Sequence, residues 1–126
     1  MEHEMSGSPQ ESLNVTTIIQ NLGIPAHMLG YVYLREAILL AVDNPAIIHM
    51  VTKELYPAIA KHFDTTPSRV ERAIRHAIEL AWDHGDIETT IHAYTNNPAY
   101  MLRKKPSNAQ LIATISDWIW VHKQTG

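Results

Sequence analysis

YPAIAKHFDTTPSRVERAIRHAIELAWDHG, residues 56–85, holds a short apolar segment, a break at Asp64-Thr65, and a long two-faced segment. Thr66 is a good N-cap and Pro67 a good first helical residue, so a helix is predicted over Pro67–His84, stopped by Gly85. At about 100° per residue, Val70, Ala73, Ile74, Ala77, Ile78 and Ala81 share one arc. Ser68, Arg69, Glu71, Arg72, Arg75, His76 and Glu79 share the opposite one. The apolar arc is rich in small residues, which predicts close packing on a neighbouring helix. The polar arc has Arg69, Arg72 and Arg75 at i, i+3 spacing, with His76 beside them.

A solvated face with pairs such as Glu71–Arg75 is the commoner origin of this pattern. The preceding YPAIAKHF changes the reading. It supplies a short helix with small Ala60 near its middle, and a tight turn follows. Helix-turn-helix modules need that arrangement: the small residue lets two helices cross closely, and the second helix lies in the major groove. Ile59, Phe63, Val70 and Ala73 occupy the expected core spacing. Asp64 stands where such turns commonly have glycine, and Asp tolerates left-handed backbone better than most residues. Arginine forks suit guanine O6 and N7, Glu71 could accept from a cytosine amine, and Ser68, Thr66 and helix N-terminal amides suit phosphates. From Lys61 to His76, four basic side chains face two acidic ones, a local +2 in a chain of net charge -3.

Outward from this pair the chain reads as helix after helix. Residues 1–12 read as a disordered tail or linker remnant, and residues 13–126 as one helix-turn-helix DNA-binding domain. Asn14 is predicted to cap a first helix ended by Gly23. A second runs from about Ala26 to Val42, with Leu29, Val32, Tyr33, Ala37, Leu40 and Ala41 inward. A third carries Ile47, Ile48, Val51, Leu55, Ile59 and Phe63, and Pro57 splits or kinks it. After Gly85, Asp86 is predicted to cap a fifth helix to about Tyr94, broken by Asn96-Asn97-Pro98. Ser107 or Asn108 starts the last, with Leu111, Ile112, Ile115, Trp118 and Ile119 inward. The expected fold is an all-α bundle of about six helices containing a helix-turn-helix.

The 126 residues suit one domain with an ordinary core. There is no cysteine, which excludes disulfides, thiolate catalysis and thiolate zinc sites. No apolar run approaches the roughly 20 residues that span a bilayer, and the polar start lacks a signal-peptide core. A cytoplasmic protein with no membrane association is expected. The eight histidines include no i, i+4 pair, so neither metal nor other cofactor is expected. No GxSxG, P-loop or GxGxxG occurs, and no catalytic residue is assigned. Arg103-Lys104-Lys105 is either a solvated loop or a phosphate clamp beside the recognition helix, with Lys104 and Lys105 its candidates.

LYPAIAKHFDTTPSRVERAIRHAIELAW, together with IPAHMLGYVYLREAI and KPSNAQLIA, resembles the DNA-binding effector domain of the stage-zero sporulation protein A family, the master sporulation response regulators. The resemblance covers about Leu13 to Lys123. It implies a sporulation transcription activator or repressor that binds a short GAA-containing double-stranded operator, often as tandem dimers, and contacts RNA polymerase sigma factor. By resemblance, Arg69, Glu71, Arg72 and Arg75 face bases or adjacent phosphates. Ser68, His76, Thr52 and Lys61 are backbone candidates. Glu79, Leu80, Thr89 and Tyr94 form the sigma-facing surface. The ending WIWVHKQTG, with Trp118 and Trp120, is more apolar than the family pattern. A receiver domain normally precedes such a domain, and a chain of this length does not hold both. The rival readings are a helical protein-interaction module that binds no DNA, and a dimerising module that blocks a full-length regulator.

Overall fold

The computed structural model describes the backbone of residues 9–125 and the side chains of 14–123. Within those limits six α-helices occur and no strand: α1 (Pro9–Asn21), α2 (Leu29–Asp43), α3 (Tyr56–His62), α4 (Pro67–Asp83), α5 (Asp86–Thr95) and α6 (Asn108–Thr125). The expected all-α bundle with a helix-turn-helix is the fold found.

α2 is the central element, packed against α1, α4 and α6. Leu34, Ala37, Ile38 and Leu39 bury both its flanks, as a helix with neighbours on several sides requires. α4 brings Val70, Ile74, Ala77, Ile78 and Ala81 to it, and α6 brings Leu111 and Ile112. Gly30 explains how closely α2 and α4 cross. A methyl group there would sit 2.6 Å from Ala77 Cβ and closer still to the Ala73 carbonyl oxygen. The small-residue arc of α4 meets a residue with no side chain.

Four expectations are corrected. α1 begins at Pro9 rather than near Leu13, so part of the expected tail is helical; Pro suits a first helical turn. The rest of that tail, residues 1–8, lies outside the described residues. Asn14 is therefore inside α1 and not its cap. Leu29, expected inward, is 64% exposed. α2 starts at Leu29, not Ala26, so Leu29 projects from the first turn before the helix enters the core. Asp86 does not cap α5; Gly85 takes that position with φ 77°.

The segment before α3 is irregular. Pro45–Met50 is a 3-10 stretch and Val51–Leu55 a wider π-type turn, in which the Tyr56 N–H reaches back to the Val51 carbonyl. Pro57 has no N–H to donate, and its ring crowds the preceding turn, which accounts for the loosened winding. Pro57 then serves in the first turn of α3, where no donor is missed.

Candidate nucleic-acid interface

The turn between α3 and α4 is built by two caps. The Thr65 N–H donates to the Ala60 carbonyl at 2.9 Å and the Asp64 N–H to the Lys61 carbonyl at 3.4 Å. Those are the paired bonds of a Schellman motif, which needs a left-handed residue at Asp64. Asp64 has φ 55°, so aspartate does here what glycine commonly does. Phe63 packs on Tyr33 of α2, ring centroids 5.4 Å apart, and fixes the end of α3 to the core. Thr66 is extended, and its Oγ1 accepts from the Arg69 N–H at 3.3 Å. Pro67 follows as the first helical residue. Ala60 is buried at the crossing of α3 and α4.

The two arcs of α4 separate as their spacing predicts. Ser68, Arg69, Arg72, Arg75 and His76 are exposed, and Glu71 and Glu79 are half-buried at the margins. The arginine row, Arg69 to Arg75, thus runs over a little more than one and a half turns. Arg75 Nε donates to Glu71 Oε2 at 3.0 Å. That bond and Glu71's charge hold the Arg75 guanidinium above the ordinary arginine value. Arg69 and Arg72 take part in no ion pair among the described residues.

Two grooves flank the row. On one side apolar Leu29, Tyr33 and Ala73 line a groove together with Arg69, Arg72, Arg75, His76 and Glu79. On the other, Thr52, Tyr56, Glu71, Arg75 and Lys105 come together with Ser107 and Asn108. Thr52 and Lys105, far from α4 in sequence, are therefore brought beside it. Lys61, at the end of α3, and Lys104 are exposed. Lys105 Nζ lies 3.4 Å from Glu79 Oε2, tying the basic loop to α4.

The sigma-facing candidates are less uniform. Glu79 lines both grooves of the arginine row rather than standing apart from it. Leu80 is half-buried, and exposed Thr89 donates its hydroxyl to the Gly85 carbonyl at 3.2 Å. Tyr94 accepts from Asn21 Nδ2 at 2.8 Å and meets Trp118 edge-on at 5.9 Å. Trp118 is half-buried, whereas Trp120 is exposed.

Asn108 is a structural residue that its sequence position as a helix start did not disclose. Buried, its Nδ2 donates to the Tyr56 hydroxyl and to the Glu71 carbonyl, each at 3.0 Å. One amide thus joins the starts of α3 and α6 to the second turn of α4. Ser107 supplies the cap of α6, its Oγ accepting from the Gln110 N–H at 3.1 Å. Burial pushes the Tyr56 hydroxyl above the ordinary tyrosine value; Asn108 opposes this and Glu71's charge adds to it. Tyr56 therefore stays protonated at neutral pH.

A short helix, a Schellman turn and a second helix whose outer arc bears arginines form a complete helix-turn-helix. Over residues 15–119 the chain matches the family described as Sporulation initiation factor Spo0A C terminal. That stretch takes in every α-helix wholly or in large part, including all of the helix-turn-helix, and the chain belongs to this family as a DNA-binding domain of a sporulation regulator.

Proposed function

We propose that the domain regulates sporulation transcription by laying α4 in the major groove of a short GAA-containing operator, as a homodimer on DNA. Arg69, Glu71, Arg72 and Arg75 reach base edges or adjacent phosphates. Thr52, Lys61, Thr66, Ser68, His76, Lys104 and Lys105 grip the backbone on either side. Glu79, Leu80, Thr89 and Tyr94 face the sigma factor of RNA polymerase when the domain activates.

One observation carries this reading: Arg69, Arg72 and Arg75 are exposed along a single face of the second helix of a helix-turn-helix. An arginine fork donates to guanine O6 and N7 together in a fixed planar geometry that a flexible lysine lacks. The grooves beside that face add Thr52 and Lys105 within reach of the flanking phosphates.

The test is selection of duplexes from a random pool, followed by binding of Arg72→Ala to the recovered duplex and to a scrambled one. A single sequence class should emerge. Arg72→Ala should cost about 1–3 kcal/mol on the selected duplex and much less discrimination should remain at one base pair. Wild-type affinity should fall steeply with salt, whereas a protein-interaction module would show little duplex affinity at any salt. Unchanged binding of both duplexes by Arg72→Ala would refute the assignment of α4.

A further inference from the structure

Leu29 is the most exposed large apolar side chain among the described residues, at 64%. It is not on a remote surface. With Tyr33 and Ala73 it lines the groove that Arg69, Arg72, Arg75, His76 and Glu79 also border. The backbone beside it lies close to α4: at Gly30, the next residue, even a methyl group would collide with the Ala73 carbonyl oxygen and with Ala77.

Resting on the reading of α4 as the recognition helix, we propose that this groove receives the 5-methyl group of a thymine at the edge of the operator, with Leu29 as its main contact. α2 thereby becomes a second element that reads sequence. The occupant follows from the charge of the rim. Three arginines and a histidine against one carboxylate, Glu79, leave the lining net cationic beside apolar Leu29, Tyr33 and Ala73, which complements a partner that is anionic outside and carries a small apolar group inside. In the major groove the thymine methyl is the apolar mark that distinguishes one base from the others. Another protein surface would have to bring acidic groups to three arginine and histidine heads while leaving an apolar contact below them.

The experiment replaces each thymine of the selected duplex by deoxyuridine, which removes only that methyl. Wild-type protein should lose about fourfold in affinity at one position, the loss for one buried methyl group. Leu29→Ala should bind the unmodified duplex correspondingly more weakly and be indifferent to deoxyuridine at that position. Equal affinities of wild type and Leu29→Ala for the deoxyuridine duplex would show that the variant is folded. Absence of any deoxyuridine effect that depends on Leu29 overturns the proposal. So does an effect of Leu29→Ala confined to cooperative binding of two adjacent sites, which would make Leu29 a contact between copies. Arg72→Ala, measured alongside, separates failure of this inference from failure of the α4 assignment: its loss persists in the first case and vanishes in the second.

Discussion

Gly30→Ala is the sharpest probe of how α2 and α4 meet. The added Cβ would lie 2.6 Å from Ala77 Cβ, and closer to the Ala73 carbonyl oxygen. Two carbon atoms need about 3.5–4.0 Å, so the helices must separate by roughly 1 Å. Backbone cannot rotate away as a side chain can, and α2 is held on its other sides by α1 and α6. Overpacking of this kind costs about 1–3 kcal/mol. Replacing glycine by alanine in a helix returns less than about 1 kcal/mol, and little of that at a second helical position. A net loss of about 2 kcal/mol is expected, read as a lower urea midpoint with unchanged slope. Ala77→Gly in the same chain should recover part of it, because it removes one clash and leaves the carbonyl. Equal or greater stability of Gly30→Ala would refute the close crossing.

Two further outcomes follow from the turn and the buried tyrosine. Asp64→Ala should lose about 1 kcal/mol, since alanine resists φ 55° more than aspartate does, whereas Asp64→Gly should stay within about 0.5 kcal/mol of wild type; urea titration checks both. Tyr56 has its folded-state value raised, mainly by burial, so the folded chain holds that proton after the unfolded chain has released it. Its contribution is intact below about pH 10 and is lost as pH rises through the folded value, so Tyr56→Phe should flatten the alkaline decline of stability. Tyr100, raised by burial and by Asp117, still titrates in that variant, so some slope should persist.

What the sequence disclosed was local. Thr66, Pro67 and Gly85 bound α4, and the arc of Val70, Ile74, Ala77 and Ile78 assigns its buried side, because capping and helical period act within a few residues. Asp64 was legible as a left-handed turn residue for the same reason. The features that escaped depend on partners far along the chain. Pro57 announces a break in the third predicted helix, but nothing in NPAIIHMVTKEL distinguishes a simple kink from the 3-10 and π turns that precede it. Leu29 fits an inward helical pattern and faces outward only because α2 begins there. Asn108 reads as a helix start, yet its amide binds Tyr56 and Glu71, 52 and 37 residues away. Gly30 is a poor helix former in itself, and its reason lies in the Ala73 carbonyl that leaves no room for a side chain.

The long-range pairs also explain how an acidic chain presents a cationic face. Both carboxylates on the outer arc of α4 are engaged by a cation: Glu71 by Arg75 within the helix, and Glu79 by Lys105 from the loop before α6. Arg69 and Arg72 take part in neither pair. On the proposed reading those two arginines meet DNA without losing an ion-pair partner, while Arg75 and Lys105 exchange a carboxylate for a phosphate or base. Exposed ion pairs are weak and screened by salt, so the exchange opposes binding only slightly. It does, however, offset part of the attraction of any phosphate backbone, which presents charge but no hydrogen-bond pattern to repay Glu71 and Glu79. A duplex that offers Glu71 a cytosine amine repays that loss; a random one does not. If α4 reads the operator as proposed, the glutamates lower affinity for all DNA and lower it least for the correct sequence, so that a row of arginines discriminates as well as adheres.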